Sequence, residues 1–181
     1  MRKELISADE MAKTLDRLAF QVAESCPVET LYIVGIHRRG VPLAKRVQDL
    51  MKKHHGVDLP LGTLDITLYR DDLSEIANFP EVYSTDLPGD IAGKNVLLID
   101  DVLYTGRTVR AALDALADFG RPSRIMLMAL VDRGHRELPI QPDFVGRTIP
   151  TSKKEVVHVN VTDIDGKDNV EIEDQGKKEQ V

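Results

Sequence analysis

Met11, Leu15, Leu18, Ala19 and Val22 recur at intervals of three and four, the spacing of one face of an α-helix. Just before them, Ser7-Ala-Asp-Glu10 has the capping-box arrangement and Ile6 can staple onto Met11, so a helix starting at Ser7 is predicted. Leu31 to Gly35 is a short apolar run closed by a glycine, which reads as a buried strand. A second amphipathic helix runs from about Val41 to His54, through Leu43, Ala44, Val47, Leu50 and Met51. Gly62 to Tyr69 is β-branched and extended in character. Between Arg70 and Lys94 the periodicity breaks at Asp71, Asp72, Pro80, Pro88, Gly89 and Gly93. That pattern predicts a long mobile segment, with a β-hairpin as one form, of the kind that serves as a lid. Val96 to Ile99 is another buried strand. Gly106 to Phe119 is a strong helix with Val109, Ala112, Leu113, Leu116 and Phe119 on one face, stopped by Gly120 and Pro122. Ile125 to Val131 is a further strand, and two more candidates lie near Phe144 and from Val156 to Val161.

Strands that are almost continuously apolar, alternating with helices, predict an α/β fold with a parallel sheet flanked by helices. The 181 residues suit a single domain, residues 1–181. Ligands of such sheets sit at the carboxyl ends of the strands, which directs attention to the loops after Val34, Ile99 and Val131. The polar segment 171–181 reads as a frayed tail.

Charge changes the picture more than composition does. The formal net charge is −6, yet Asp163 to Val181 holds seven acidic and three basic residues while Arg121 to Lys154 holds seven basic and three acidic. An acidic tail therefore masks a locally basic region, and the local charge is what an anionic ligand meets. No apolar run is long enough to span a membrane, and the N-terminus lacks the apolar stretch of a secretory signal. Cys26 is the only cysteine, which excludes an internal disulfide and reads as a spectator thiol. These features together predict a cytoplasmic protein.

The most informative segment is Val96-Leu-Leu-Ile-Asp-Asp-Val-Leu-Tyr-Thr-Gly-Arg-Thr-Val-Arg110. A strand ends in two adjacent carboxylates, Asp100 and Asp101, and a Thr-Gly-Arg-Thr turn then opens a helix. Helix N-termini carry unpaired N–H groups and partial positive charge, so they suit phosphate. Thr105 and Thr108 add hydroxyl donors, and Gly106 lets backbone approach an anion closely. Two carboxylates beside a phosphate cradle repel the ligand unless they hold something else; a ribose diol and a hydrated divalent cation are the natural candidates. The fingerprints of P-loop and dinucleotide sites are missing from the sequence.

This segment resembles the phosphoribosyl diphosphate (PRPP) loop of type I phosphoribosyltransferases. Ile66-Thr-Leu-Tyr-Arg-Asp-Asp72, Asp100 to Thr108 and Leu130-Val-Asp-Arg-Gly-His-Arg-Glu-Leu-Pro-Ile140 are similar, in particular, to the bifunctional pyrimidine-operon attenuation regulators and uracil phosphoribosyltransferases. The likeness runs from about Leu5 to Val161. It implies the type I phosphoribosyltransferase fold with a flexible loop and a small hood, residues 131–165 with N-terminal contributions.

By this resemblance Asp100 and Asp101 hold the ribose hydroxyls and Mg2+, directly or through water, and Thr105, Gly106, Arg107 and Thr108 bind the 5-phosphate. Gly35-Ile-His-Arg-Arg-Gly40 matches the diphosphate-binding loop, with Arg39 and Gly40 before a helix N-terminus; Arg38 departs from the smaller residue expected there. Independently of the family, Arg-Arg-Gly after a buried strand is a sensible anion site. Arg70 matches the loop that closes over the diphosphate. Asp132, Arg133, Phe144 and Val145 resemble the floor and hood of a base site, and His135 reads as a surface histidine of the hood rather than a general base. His54, His55 and His158 read as solvated.

The implied reaction is uracil plus PRPP giving UMP and diphosphate. The resemblance also implies a homo-oligomer that binds pyrimidine operon leader mRNA in response to UMP or UTP, with Arg17, Arg133, Arg136 and Arg147 as candidate contacts. On the first helix, Asp16 stands where a threonine is expected and Phe20 where a histidine is, which removes hydrogen-bonding capacity from that face. Two alternatives stand beside the bifunctional reading: an RNA-binding regulator whose site only senses nucleotides, and a salvage enzyme without RNA regulation.

Overall fold

A computed structural model describes residues 2–72 and 81–176. The order of elements is β1 (Arg2–Ile6), α1 (Ala8–Ser25), β2 (Leu31–Ile36), α2 (Gly40–His55), β3 (Leu61–Leu64), β4 (Asn95–Leu103), α3 (Arg107–Ala117), β5 (Arg124–Asp132), β6 (Phe144–Thr148), β7 (Glu155–Asn160), the short turn α4 (Thr162–Asp165) and β8 (Asn169–Asp174). Five strands form one sheet in the order β3-β2-β4-β5-β6, and β1-β8-β7 form a second sheet of three. Every pairing in the larger sheet is parallel. Alternate residues of its strands face two separate cores. Ile33, Leu97, Ile99, Met126 and Met128 pack with α1 and α2, whereas Tyr32, Val34, Leu98, Leu127 and Ala129 pack with α3. This two-faced burial is why the strands read as unbroken apolar runs.

The N-terminus of α1 forms as its sequence predicts. Ser7 Oγ accepts the Glu10 N–H at 3.3 Å and the Glu10 carboxylate accepts the Ser7 N–H at 2.8 Å, while Ile6 and Met11 are both fully buried. The extended reading of Gly62 to Tyr69 holds only to Leu64. The Asp65 carboxylate accepts the N–H of Thr67 at 2.9 Å and of Tyr83 at 2.7 Å, which turns the chain into a 3-10 turn at Thr67–Tyr69.

Of the expected lid at 70–94, residues 73–80 lie outside the described residues. From Tyr83 onward the segment is anchored rather than free. Thr63 and Asp86 exchange backbone bonds as an antiparallel bridge, the Tyr32 hydroxyl donates to the Pro88 carbonyl at 2.7 Å, and Ile91 is buried.

The first part of the expected tail is corrected: Asn169–Asp174 is a strand lying between β1 and β7, while residues 177–181 lie outside the described residues. Its polar residues are partnered across the sheet. Asn169 donates to Glu4 at 2.9 Å and its Oδ1 accepts from Asn160 at 2.8 Å; Glu173 accepts from Arg2 at 3.1 Å and pairs with His158 at 2.9 Å. His54, like His158, is engaged rather than solvated: it meets Asp16 at 2.6 Å and its ring lies 4.5 Å from that of Phe20. Cys26 is a half-buried free thiol.

Candidate active site

The carboxyl ends of β2, β4 and β5 present their loops along one edge of the larger sheet, with Leu103 in register with Asp132. At that edge β4 carries both aspartates. Asp100 Oδ1 accepts the Asp101 N–H at 3.0 Å, and Asp101 Oδ1 accepts the Val102 N–H at 2.8 Å. Asp100 is only 6% exposed. Burial, and then the charge of Asp101 beside it, push its carboxyl well above the usual carboxylate range. Neither aspartate has a salt-bridge partner among the described residues, and no cluster of three or more acidic, His or Cys side chains suited to a metal occurs there. Two adjacent carboxylates of this kind suit a cation that keeps waters and takes further oxygens from a substrate, as Mg2+ does.

The chain then turns through Gly106, at φ +93°, into α3. A side chain would be strained there. Thr105 Oγ1 accepts the Arg107 N–H at 3.3 Å, and the first amide to bond back along the helix is that of Arg110, to the Gly106 carbonyl at 3.0 Å. The Thr108 and Val109 amides precede that bond, so the turn offers backbone donors with the positive end of the helix dipole behind them.

Beside it, the loop after β2 contains a cis peptide at His37-Arg38 and leads into α2, with Arg39 as its N-cap. A Cβ on Gly40 would lie 2.4 Å from the Ile99 carbonyl oxygen and 3.5 Å from the Asp100 Cα. Glycine is what lets this loop rest directly on the end of β4. The Arg39 guanidinium donates through Nε and Nη2 to the two oxygens of Asp165 at 3.0 and 2.7 Å.

Arg70, Asp71, Asp72, Thr105, Arg107 and Thr108 line one cavity of about 220 Å³. Each of its cations already carries an internal carboxylate. Arg70 pairs with Asp72 at 2.6 Å, and Arg107 pairs with Asp71 at 2.5 Å and Glu137 at 3.4 Å. The Arg107 side chain is thus held between Asp71 and Glu137.

The expected base-side residues separate into two groups. Asp132, at the end of β5, pairs with Arg136 at 2.6 Å and accepts the Gly134 N–H at 2.9 Å. Arg133 lies 4.0 Å from the centre of the Tyr104 ring and donates to the Ser152 carbonyl at 3.1 Å; its buried Nε has no partner. These two lie at the carboxyl end of β5, and Phe144 and Val145 begin β6 beside it. The latter pair with Met128 and Ala129 in the middle of β5, and Ala129 is also in register with Asp100 of β4, so Val145 stands level with the carboxylate pair, one strand beyond β5. Phe144 is moreover part of the core.

The expected RNA contacts also divide. Arg133 is 6% exposed, and Arg136 is spent on Asp132, the Tyr104 carbonyl and the Ile140 carbonyl, so neither faces an external phosphate. Arg17 donates to the Gly146 carbonyl at 2.6 Å, and Arg147 to the Leu5 carbonyl at 2.9 Å while its side chain stays 43% exposed. Sequence reading missed Asp165, Asp71 and Tyr104. The first was hidden in an acidic stretch, where only an Arg39 lacking any nearby partner in the chain signalled the need for it.

Solved structures similar to this fold include a hypoxanthine phosphoribosyltransferase from Staphylococcus aureus, with a TM-score of 0.69 and 20% identity over 93% of this chain and 90% of that one. A hypoxanthine-guanine phosphoribosyltransferase from Bacillus anthracis matches with a TM-score of 0.66 and 20% identity, covering 82% and 84%. At such identities the likeness concerns the fold. A family model described as the phosphoribosyl transferase domain matches residues 1–163. Curated relatives named bifunctional protein PyrR are 55% identical in Thermus aquaticus, over 94% of this chain and 95% of the relative, and 54% identical in Deinococcus radiodurans, over 94% and 93%. The two aspartates of β4, the glycine turn into α3 and the Arg39–Gly40 loop thus stand in a chain that belongs to the phosphoribosyl transferase family, within the group of the bifunctional PyrR proteins.

Proposed function

We propose that the protein transfers a phosphoribosyl group from PRPP to uracil, giving UMP and diphosphate. The observation that carries this reading is the close seating of three elements at one sheet edge: the Asp100-Asp101 pair, the Gly106 turn and the Arg39-Gly40 loop. In the reaction uracil N1 bonds to ribose C1, the bond from C1 to the diphosphate oxygen breaks, and the N1 proton is lost. Asp100 and Asp101 would hold the ribose hydroxyls and Mg2+, and a bound Mg2+ would supply charge neutralisation for the diphosphate. The amides of the Gly106 turn, with the Thr105 and Thr108 hydroxyls, would hold the 5-phosphate, and Arg39 the leaving diphosphate. Arg70 borders the phosphate cavity and is suited to exchange Asp72 for a substrate oxygen. For the base, Asp132, Arg133, Phe144 and Val145 are the candidates, and Tyr104, stacked on Arg133, joins them. Positioning and charge stabilisation would do most of the work.

Turnover with PRPP and each of uracil and hypoxanthine tests this reading. Diphosphate release with uracil is expected; release with hypoxanthine alone would move the protein to purine salvage.

The second function, binding of pyrimidine operon leader mRNA under control of UMP or UTP, is supported by the name shared with the close relatives and by Arg17 and Arg147, which stand together where α1 crosses β6. The same reading includes a homo-oligomer in the cytoplasm; no described helix is long and apolar enough to cross a membrane.

A further inference from the structure

Arg39 is held by a residue that none of the motifs contains. Asp165 takes the Nε–Nη2 edge of the guanidinium at 3.0 and 2.7 Å. A guanidinium presents five N–H donors in a fixed plane, so a carboxylate on that edge leaves Nη1 and one Nη2 hydrogen for a second oxyanion and fixes their direction. Asp165 is itself immobilised. Its Oδ2 accepts the Val161 N–H at 2.9 Å, and its N–H donates to the Val161 carbonyl at 2.7 Å. The turn that carries it is clamped to α2 a second time. Arg46 stands seven residues after Arg39 and so on the same helix face, and it binds Asp163 at 2.9 Å and Asp168 at 2.9 and 3.0 Å. One helix face therefore grips the turn through two arginines, of which only Arg39 lies at the edge of the sheet where Gly40 meets β4.

We infer that Asp165 is a positioning residue: it orients Arg39 so that the free edge of the guanidinium meets the diphosphate of the substrate. This rests on the reading of the Arg39-Gly40 loop as the diphosphate site. Were Asp165 only a fastening for the second sheet, breaking the neighbouring Arg46–Asp168 clamp would have the same consequences. Were it a competitor for the diphosphate, its removal would tighten binding.

The test measures binding of Mg2+-diphosphate and, separately, of ribose 5-phosphate to the full chain carrying Asp165→Asn or Asp168→Asn. Positioning predicts that Asp165→Asn weakens diphosphate binding at least tenfold and raises the PRPP KM, with ribose 5-phosphate affinity and the uracil KM within twofold of the parent. Asp168→Asn is expected to leave all four within twofold. Unchanged or tighter diphosphate binding in Asp165→Asn overturns the inference, as does an equal loss of both ligands in the two variants. If the unsubstituted protein binds ribose 5-phosphate but no diphosphate, the reading of the loop itself falls, and the inference with it.

Discussion

Gly40 offers the sharpest test of how the site is assembled. A Cβ at this position would stand 2.4 Å from the Ile99 carbonyl oxygen, whereas ordinary contact begins near 3.4 Å, so Gly40→Ala must open the gap between the Arg39 loop and β4 by about 1 Å. The obstacle is backbone on a central strand, which has little freedom to yield. Overpacking of this kind costs about 1–3 kcal/mol, a Tm decrease of about 2–12 °C in a chain of this size. The effect on activity should be larger than the stability loss alone suggests. A displacement of about 1 Å in a positioned group can cost about a hundredfold in rate, or about 2.7 kcal/mol of barrier. The measurements are uracil-dependent diphosphate release under PRPP-limiting conditions, and thermal unfolding of the same preparation. Gly56→Ala is the reference: Gly56 has φ +68° with nothing within 4 Å of its missing Cβ, so alanine costs about 1 kcal/mol of left-handed strain there and leaves turnover unchanged. A Gly40→Ala protein with the Tm and kcat/KM of the parent would refute the claim that this contact sets the loop's position.

Asp101→Asn should lower kcat/KM for PRPP at least tenfold, about 1.4 kcal/mol of barrier, without loss of the fold; near-parental turnover would remove the carboxylate pair from the mechanism. Asp100 carries the opposite sign for stability. Burial raises its carboxyl pKa in the folded chain, so the native state holds the proton more tightly than the unfolded one, and stability falls as pH rises from the ordinary carboxylate range toward that raised value. Asp100→Asn should accordingly match the parent Tm near pH 3 and exceed it increasingly toward neutrality, while losing activity; a variant less stable at pH 7 would contradict this. For the RNA reading, Arg147→Glu should weaken binding of a pyrimidine operon leader and reduce the slope of log affinity against log salt by about one unit or more. Equal salt slopes in parent and variant would take Arg147 out of the interface.

The elements of the larger sheet were legible because each declares itself locally. The Ser7 capping box, the apolar runs of β2, β4 and β5 and the period of α3 at Val109, Ala112 and Leu116 all rest on neighbours within a few residues, whereas Leu113 and Phe119, read onto the same face, are exposed and α3 ends at Ala117. The carboxylate pair and the glycine turn were legible for the same reason, being contiguous in the chain. What escaped depends on distant partners. The strand β8 looks like solvated tail until Glu4, Arg2 and His158 are set opposite its polar residues. Asp165 lies 126 residues from Arg39 and is marked by no motif. The level of Phe144 and Val145 was also hidden, because a strand's sequence does not give its register; pairing sets Val145 beside Ala129 and so level with Asp100.

The second sheet joins Arg2 to Glu173, residues 171 apart, with β8 in the middle. A ribosome releases β1 first, yet its only strand partner emerges after all other described strands. The five-stranded sheet grows from crossovers between strands near in sequence, whereas this smaller sheet closes a loop of almost the whole chain, a slow step in folding terms. Asp165 sits in the connection between β7 and β8, so Arg39 meets this partner only after every strand of the larger sheet has been synthesised. A nascent chain can therefore have its main sheet in place while Arg39 is still untethered.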